Sequence, residues 1–142
     1  MTWSNPTPAE LAANFIASQR AGADDDTCGH LAGLMFGPFS KKRSQLIWDS
    51  ILLVLETYSE AELYAETTSE AQEVCGVLAA GPLEDLLSID GEQFIERCED
   101  LARRDRRMAW LLGGVWQFEM TDEIWNRVQT AADNSHWTRQ VS

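Results

Sequence analysis

Two adjacent carboxylates, Glu84 and Asp85, are the residues whose type and position most suggest chemistry. They follow Gly81-Pro82, a dipeptide typical of a helix end and a new helix start, so we expect them in a first helical turn. A carboxylate pair can act as general acid and base, or it can bind a divalent cation. The favoured interpretation is electrostatic, because acids in a first turn stabilise the helix dipole and adjacent helical residues point in different directions.

The cysteine and histidine residues do not have the spacing of a metal or nucleophile site. Cys28, Cys75 and Cys98 are far apart and odd in number, so we predict three free thiols, with Cys75 and Cys98 on apolar helix faces. His30 and His136 lack partners at zinc-ligand spacing, and the proximity of His30 to Cys28 in a glycine-rich segment carries little weight. Glycine-rich nucleotide-binding motifs are also absent from the sequence, and we predict neither a metal nor a cofactor.

The distribution of acidic residues is the strongest anomaly of the sequence. Between Ser44 and Glu96 there are twelve acids and no Lys or Arg. A solvated surface usually mixes both signs, whereas a surface of one sign repels itself and steers oppositely charged partners toward it. A purely solubilising surface is the alternative. The acids that we predict to contact a basic partner are Glu60, Glu62, Glu66, Glu70, Glu73, Glu92 and Glu96.

The overall charge restricts the classes of partner. The net charge is −12, from 23 acidic and 11 basic residues, which argues against direct binding to nucleic acids or to anionic membranes and favours a basic protein. The cluster Arg103–Arg107 is predicted to lie at a helix C-terminus, where cations oppose the dipole; contact with an anion or RNA is the alternative. Lys41–Arg43 are predicted at a helix start, where the dipole disfavours them.

The apolar residues recur at helical spacing nearly throughout, and no segment sustains a period of two. We predict an all-α domain over residues 1–142, with about seven to nine helices in antiparallel pairs, arranged as a short α-solenoid or a bundle. The tail from about residue 134 is polar. Since no signal sequence or membrane-spanning run is visible, we expect a cytoplasmic protein.

Capping motifs mark the expected helix starts, at Thr7, Ser59, Thr67, Asp90 and Thr121. A short helix is also expected within residues 28–39. The Gly81-Pro82 junction is expected to be a corner between helices, with its apolar neighbours Leu78, Leu83, Leu86 and Leu87 buried. A later helix, with Gly113-Gly114 near its end, is predicted to bury Met108, Leu111, Leu112, Val115 and Trp116.

Three sequence pieces occur in a characteristic order: LAAGPLEDLL at 78–87, LGGVW at 112–116 and DEIWNRVQ at 122–129. With these pieces the chain resembles, over residues 45–130, a family of small uncharacterised bacterial proteins annotated only as a domain of unknown function. The resemblance implies a helical domain. It brings no established reaction, ligand or catalytic residue.

Three functions remain open from the sequence. The leading hypothesis is an acidic inhibitor, of the immunity or anti-defence type, that masks a basic surface of a toxin, a nuclease or a nucleic-acid-binding complex. Tyr58, Tyr64 or Trp137 would provide its aromatic anchor. A helical scaffold or adapter without inhibitory activity is the alternative, and an enzyme that uses Glu84 and Asp85 ranks third. The sequence predicts no oligomeric state.

Overall fold

A computed structural model of the protein describes residues 6–21, 33–36 and 39–135. Within these ranges the regular elements are all helical, which confirms the predicted fold class. A 3-10 turn, Lys41–Arg43, leads into α2, and a π-helical turn, Ala79–Leu83, joins α4 to α5. The seven α-helices of these ranges are α1 (Pro8–Ala21), α2 (Ser44–Glu56), α3 (Glu60–Leu63), α4 (Glu70–Leu78), α5 (Glu84–Arg104), α6 (Arg106–Leu112) and α7 (Asp122–Ala131).

Some of the sequence predictions fall on residues that the structure does not describe. Cys28, His30, His136 and Trp137 lie outside the described ranges. So does most of the segment 28–39, for which a short helix is predicted.

The predicted capping motifs position the starts of several helices. Thr7 and Glu10 exchange hydrogen bonds of 3.0 and 3.1 Å before α1, as Ser59 and Glu62 do before α3. The hydroxyl of Thr121 likewise accepts a hydrogen bond from the backbone of α7. These starts confirm the predictions made from Ser and Thr followed by an acid.

The prediction of a capping box at Thr67 was wrong by two residues. The box is formed by Ser69 and Gln72, and α4 begins at Glu70. The carboxylate of Glu70 is bound by Arg20 and Tyr58 instead of reaching back to Thr67. Another local capping box therefore forms in place of the predicted one, and the Glu70 carboxylate makes a tertiary contact.

Gly81-Pro82 does not break the helical course of the chain. The π-helical turn carries the backbone from α4 into α5, and its wider hydrogen-bonding pattern accommodates Pro82, which has no N–H to donate. The helical phase predicted for this segment is correct, because all four neighbouring leucines are buried: Leu78, Leu83, Leu86 and Leu87. Asp90, predicted to start a separate helix, has non-helical backbone angles, φ −141° and ψ 39°, at a kink where two helical segments meet within α5, so the predicted boundary is confirmed.

The close approach of the Phe36 ring to the backbone of this turn explains why position 81 is a glycine. A Cβ atom on Gly81 would lie 2.3 Å from Cε1 of Phe36, so only glycine fits without displacing that ring. The ring of Phe36 also packs on Phe15 of α1, with 6.0 Å between the centroids. The π-helical turn is thus a packing site for the segment that precedes α2.

The helices pack around one core whose largest fully buried side chains include Trp110, Phe15 and Phe94. Helix α1 packs along α2, and α5 contacts α2, α6 and α7. Contacts between helices distant in the chain are typical of a bundle, since in a solenoid each repeat touches only its neighbours. The bundle form of the predicted architecture is therefore the one adopted by the described residues. In these ranges no helix combines the length and apolar character needed to cross a bilayer.

Candidate functional site

Three of the seven acids predicted to bind a partner are held by the fold itself. Glu70 accepts two hydrogen bonds of 2.9 Å from the guanidinium of Arg20, which lies 50 residues earlier, and a third of 2.9 Å from the Tyr58 hydroxyl. The bond from Arg20, followed by that from Tyr58, lowers the pKa of Glu70 below its usual range. Glu62 caps α3, and Glu60 pairs with Arg106 at 3.5 Å.

The two tyrosines predicted as aromatic anchors are also part of this internal network, and the burial of Tyr58 argues against that role for it. Tyr58 is only 4% exposed. Tyr64 is half-buried, donates its hydroxyl hydrogen to Asp133 at 2.9 Å, and lies under the Arg106 guanidinium at 4.3 Å. Burial raises the pKa of both tyrosines. Their polar ends stabilise the packing of α3 and α4 against α1 and α6, and they present little surface to a partner.

The other four predicted acids are Glu66, Glu73, Glu92 and Glu96. Their residues are exposed. None of their side chains forms a hydrogen bond or ion pair with another described residue. These four residues, called the open acids below, keep their charge unneutralised by direct contacts within the described part of the fold.

Most basic side chains of the described ranges are engaged inside the molecule. Five of them form ion pairs with carboxylates, namely Arg20, Arg103, Arg106, Arg107 and Arg127. Arg97 donates to Gln45 at 2.7 Å, and Arg104 donates to a backbone carbonyl. The side chains of Lys41, Lys42 and Arg43, at the predicted helix start, form no hydrogen bond or ion pair with a described residue.

The prediction for the basic cluster 103–107 holds for its first half alone. Arg103 and Arg104 occupy the last turn of α5, where they oppose the dipole. Arg106 and Arg107 instead begin α6, because Asp105 adopts an extended backbone conformation and accepts the Arg107 N–H at 2.9 Å. Asp105 also pairs with the Arg107 guanidinium, which lowers the pKa of that carboxyl. The guanidinium donates as well to the carbonyl of Tyr58 at 2.9 Å, so its role is structural.

Glu84 and Asp85 lie in the first turn of α5, as predicted, although the π-helical turn leads into that helix without interruption. Both are half-buried. The carboxylate of Glu84 accepts a hydrogen bond of 2.9 Å from the backbone N–H of Trp116. Burial raises the pKa of Glu84, an effect that this bond partly offsets. The contact assigns Glu84 to the positioning of the segment between α6 and α7.

That segment, residues 113–121, is called the aromatic loop below. Helix α6 ends at Leu112, and tight i to i+3 hydrogen bonds from Gly113, Gly114 and Val115 turn the chain away. The side chains of Trp116 and Phe118 are therefore 64% and 65% exposed, so the prediction that Trp116 lines an inner helix face was wrong.

Several contacts hold the aromatic loop on the rest of the fold. Besides the bond from Trp116 to Glu84, the N–H of Glu119 donates to Ser88 Oγ of α5 at 3.3 Å. Val115 and Met120 are buried on either side of the exposed aromatic residues. The loop consequently presents its aromatic side chains from a fixed backbone.

Sequence reasoning missed this loop because helical spacing was extended through Gly113-Gly114. One feature of the sequence indicated that the helix does not continue. Trp116 and Phe118 are two residues apart, a spacing that puts helical side chains on different faces. Beyond Val115 and before the Thr121 cap, Met120 is the one aliphatic side chain left to support a helical stripe.

The sulfur atoms offer little chemistry. Cys75 and Cys98 are free and buried, as predicted, and burial raises the pKa of each thiol to about 12. A thiol with so high a pKa is a poor nucleophile at neutral pH. Among the described residues, no three or more His, Cys, Asp or Glu side chains are grouped as metal ligands.

Residues 37–136 match the model of a family described as "Family of unknown function (DUF6869)". The match covers well over half of the chain, so the protein belongs to this family. It also agrees with the resemblance inferred from the three sequence pieces. Neither the curated proteins nor the solved structures contain a significant match.

Proposed function

We propose that this member of the family of unknown function DUF6869 is a protein-binding inhibitor, of the immunity or anti-defence type, that masks a basic surface on a toxin, a nuclease or a nucleic-acid-binding complex. One observation carries the proposal. Most arginines of the described residues are engaged within the fold, whereas the open acids form no hydrogen bond or ion pair with a described residue. The negative charge of these four residues is therefore available to attract a cationic group on another protein.

Such a surface mainly affects the rate at which the two proteins encounter each other. Exposed carboxylates attract a basic protein over about 8 to 10 Å at physiological ionic strength and accelerate association. They add less to final affinity, because ion pairs in water contribute only about 0 to 1 kcal/mol each. An inhibitor that must capture a toxin or nuclease quickly benefits from this property. The buried free thiols agree with a partner in the reducing cytoplasm.

For this proposal the seven predicted contact residues fall into two groups that differ in their contacts within the fold. The open acids, Glu66, Glu73, Glu92 and Glu96, are proposed to meet the partner directly. Glu60, Glu62 and Glu70 contribute to the negative field but are kept in place by internal bonds. Replacing these three would alter the fold as well as the surface.

A scaffold or adapter is the second candidate, and the aromatic loop favours it. Exposed Trp116 and Phe118 provide contact area of a kind that suits any protein interface. An adapter would bind its partner without blocking that partner's activity. The two candidates therefore differ in the activity of the complex.

The test compares the wild type with a variant in which the open acids are reversed: Glu66→Lys, Glu73→Lys, Glu92→Lys and Glu96→Lys. The partner is captured at low salt, identified by mass spectrometry and assayed alone and in the complex. We expect a basic enzyme whose activity is abolished and whose association rate falls by about tenfold or more in the variant or at high salt.

The matched control reverses Arg103 and Arg104, which are exposed at the end of α5. This change makes the protein more acidic and should leave association unchanged or faster. A partner that binds equally well in all variants and at all salt concentrations would contradict the proposal. A partner that remains active when bound would identify an adapter.

A further inference from the structure

We propose that the aromatic loop is a receptor for an arginine side chain of the partner, with Trp116 and Phe118 as the stacking surfaces and Glu84, Glu119 and Asp122 as the neighbouring charges. This inference rests on the proposed function, because it names the chemistry that the basic partner presents. It adds a contact that is distinct from the open acids.

The first support is the exposure of the aromatic side chains. Among the described residues, the exposed large apolar side chains are Leu53, Trp116 and Phe118. Two of these three are close neighbours on one loop. An aromatic side chain left in water forgoes the favourable free energy of burial, so a pair of them on one loop marks a surface that is covered in use.

The second support is the fixed position of the loop. The backbone is bonded to α5 at Glu84 and at Ser88, and Val115 and Met120 are buried beside it. Pre-organised contact residues lose less conformational freedom on binding, which raises affinity. The aromatic pair therefore has the properties of an interface anchor.

The third support is the charge around the pair, which indicates the occupant. The carboxylate of Glu84 lies 2.9 Å from the backbone nitrogen of Trp116, and Glu119, which directly follows Phe118, lines a cavity together with Lys41. The carboxylate of Asp122 is held by the Gln117 side chain at 2.8 Å, at the base of the loop. With three carboxylates on or next to the loop and one lysine near Glu119, the local charge is negative and favours a cationic occupant, whereas a second copy of this chain, with its net charge of −12, would be repelled.

Arginine fits this arrangement better than lysine. Its planar guanidinium can stack on an aromatic ring and at the same time donate to a carboxylate. The protein itself places an arginine over an aromatic ring at two other places, and at one of them the arginine also pairs with a carboxylate. The Arg97 guanidinium lies 4.7 Å from the Phe94 ring centroid, and that of Arg106 lies 4.3 Å from the Tyr64 ring while it pairs with Glu60.

The test uses a short peptide of alternating arginine and glycine, and a matched peptide in which citrulline replaces arginine. Citrulline keeps the shape of the side chain and removes its charge. The readout is the indole N–H resonance of Trp116, assigned by its absence in Trp116→Phe. We expect the arginine peptide to shift this resonance and the citrulline peptide to leave it in place.

Binding of the same peptide is then measured in protein variants. Trp116→Ala with Phe118→Ala should weaken it by about tenfold, and Trp116→Phe should restore most of the loss. Leu53→Ala removes an exposed apolar side chain from α2 and serves as the matched control, with no expected effect. Circular dichroism of each variant checks that the helices are intact.

The possible failures are distinguishable. If the peptide binds through the open acids and ignores the aromatic double variant, this inference is overturned and the proposed function stands. An equal response to citrulline would also overturn it. If the protein self-associates and the double variant abolishes that association, the loop is covered by a second copy and the arginine receptor is excluded. Loss of peptide binding in the aromatic variant, with binding of the natural partner independent of the open acids, would retain the receptor and reject the electrostatic proposal.

Discussion

Two segments of the chain contain glycine, but the backbone stays helical after one of them and leaves the helix after the other. After Gly81-Pro82 the backbone stays helical through a π-helical turn and runs into the longest helix, α5. After Gly113-Gly114 the helix has ended, and the aromatic loop leads to the surface. Proline disfavours a helix interior more strongly than glycine does, yet the helix continues at the segment that contains proline.

The side chains that follow each segment explain the difference. Leu83, Leu86 and Leu87 recur at helical spacing after Gly81-Pro82, and a continued helix buries all three. After Gly113-Gly114 the next residues bring Val115 to the core and leave Trp116 outside. Burial of apolar area, at roughly 25 cal/mol per Å², can thus outweigh the local preference of a helix-breaking residue.

The largest expected effect is a difference in stability between a variant of the first segment and a variant of the second. Leu83→Ala should lower the free energy of unfolding by about 2 to 5 kcal/mol, because Leu83 is fully buried and the change leaves a cavity. Trp116→Ala removes a larger side chain but should change stability by no more than about 0.5 kcal/mol, since that residue is mostly exposed. Urea denaturation of both variants measures the contrast. Equal losses would show that the aromatic loop contributes to the core.

A smaller effect is expected from the close packing at the π-helical turn. Gly81→Ala should cost about 1 to 3 kcal/mol, because its Cβ atom would collide with the Phe36 ring. The loss should shrink when the same change is made in a Phe36→Leu background. A double-mutant cycle in urea measures this coupling. Additive losses would mean that the turn itself, and not Phe36, requires glycine.

The smallest effect concerns Glu84, which connects the two segments. Burial raises its pKa in the folded state, so the protonated form is favoured by folding. The resulting stabilisation is complete below the pKa of the unfolded chain and is lost as pH rises through the folded pKa. Glu84→Gln should abolish this loss while its amide oxygen still accepts the Trp116 N–H.

The measurement for Glu84 is the stability of both proteins from about pH 4 to about pH 7. We expect the difference between variant and wild type to shift in favour of the variant as pH rises. Glu92→Gln, at an exposed position of the same helix, is the control. A difference that stays constant with pH would show that Glu84 keeps an ordinary pKa.

Local patterns in the sequence predicted much of the fold. The capping motifs at Thr7, Ser59 and Thr121 and the buried leucines around Gly81 are correct, because they depend on residues within one or two helical turns. The kink at Asp90 lies where a helix start was expected. The continuation through Pro82 was not predicted, since it depends on burial against distant elements.

The candidate site was predicted less well, for a related reason. The absence of Lys and Arg between Ser44 and Glu96 suggested free acids, but Arg20 and Arg106 reach Glu70 and Glu60 from outside that stretch. Such pairs join residues 50 and 46 positions apart and leave no local signal. The exposed aromatic residues escaped prediction because helical periodicity was followed past the end of α6.

Helix α1 has a consequence for how the family is delimited. The stretch that matches the family begins at residue 37, after α1 has ended. Yet Leu11 and Phe15 of α1 are fully buried, and the helix packs along α2. A segment that began at residue 37 would expose apolar surface of α2 to water. The stretch that matches the family is therefore shorter than the unit that packs around the core in this chain.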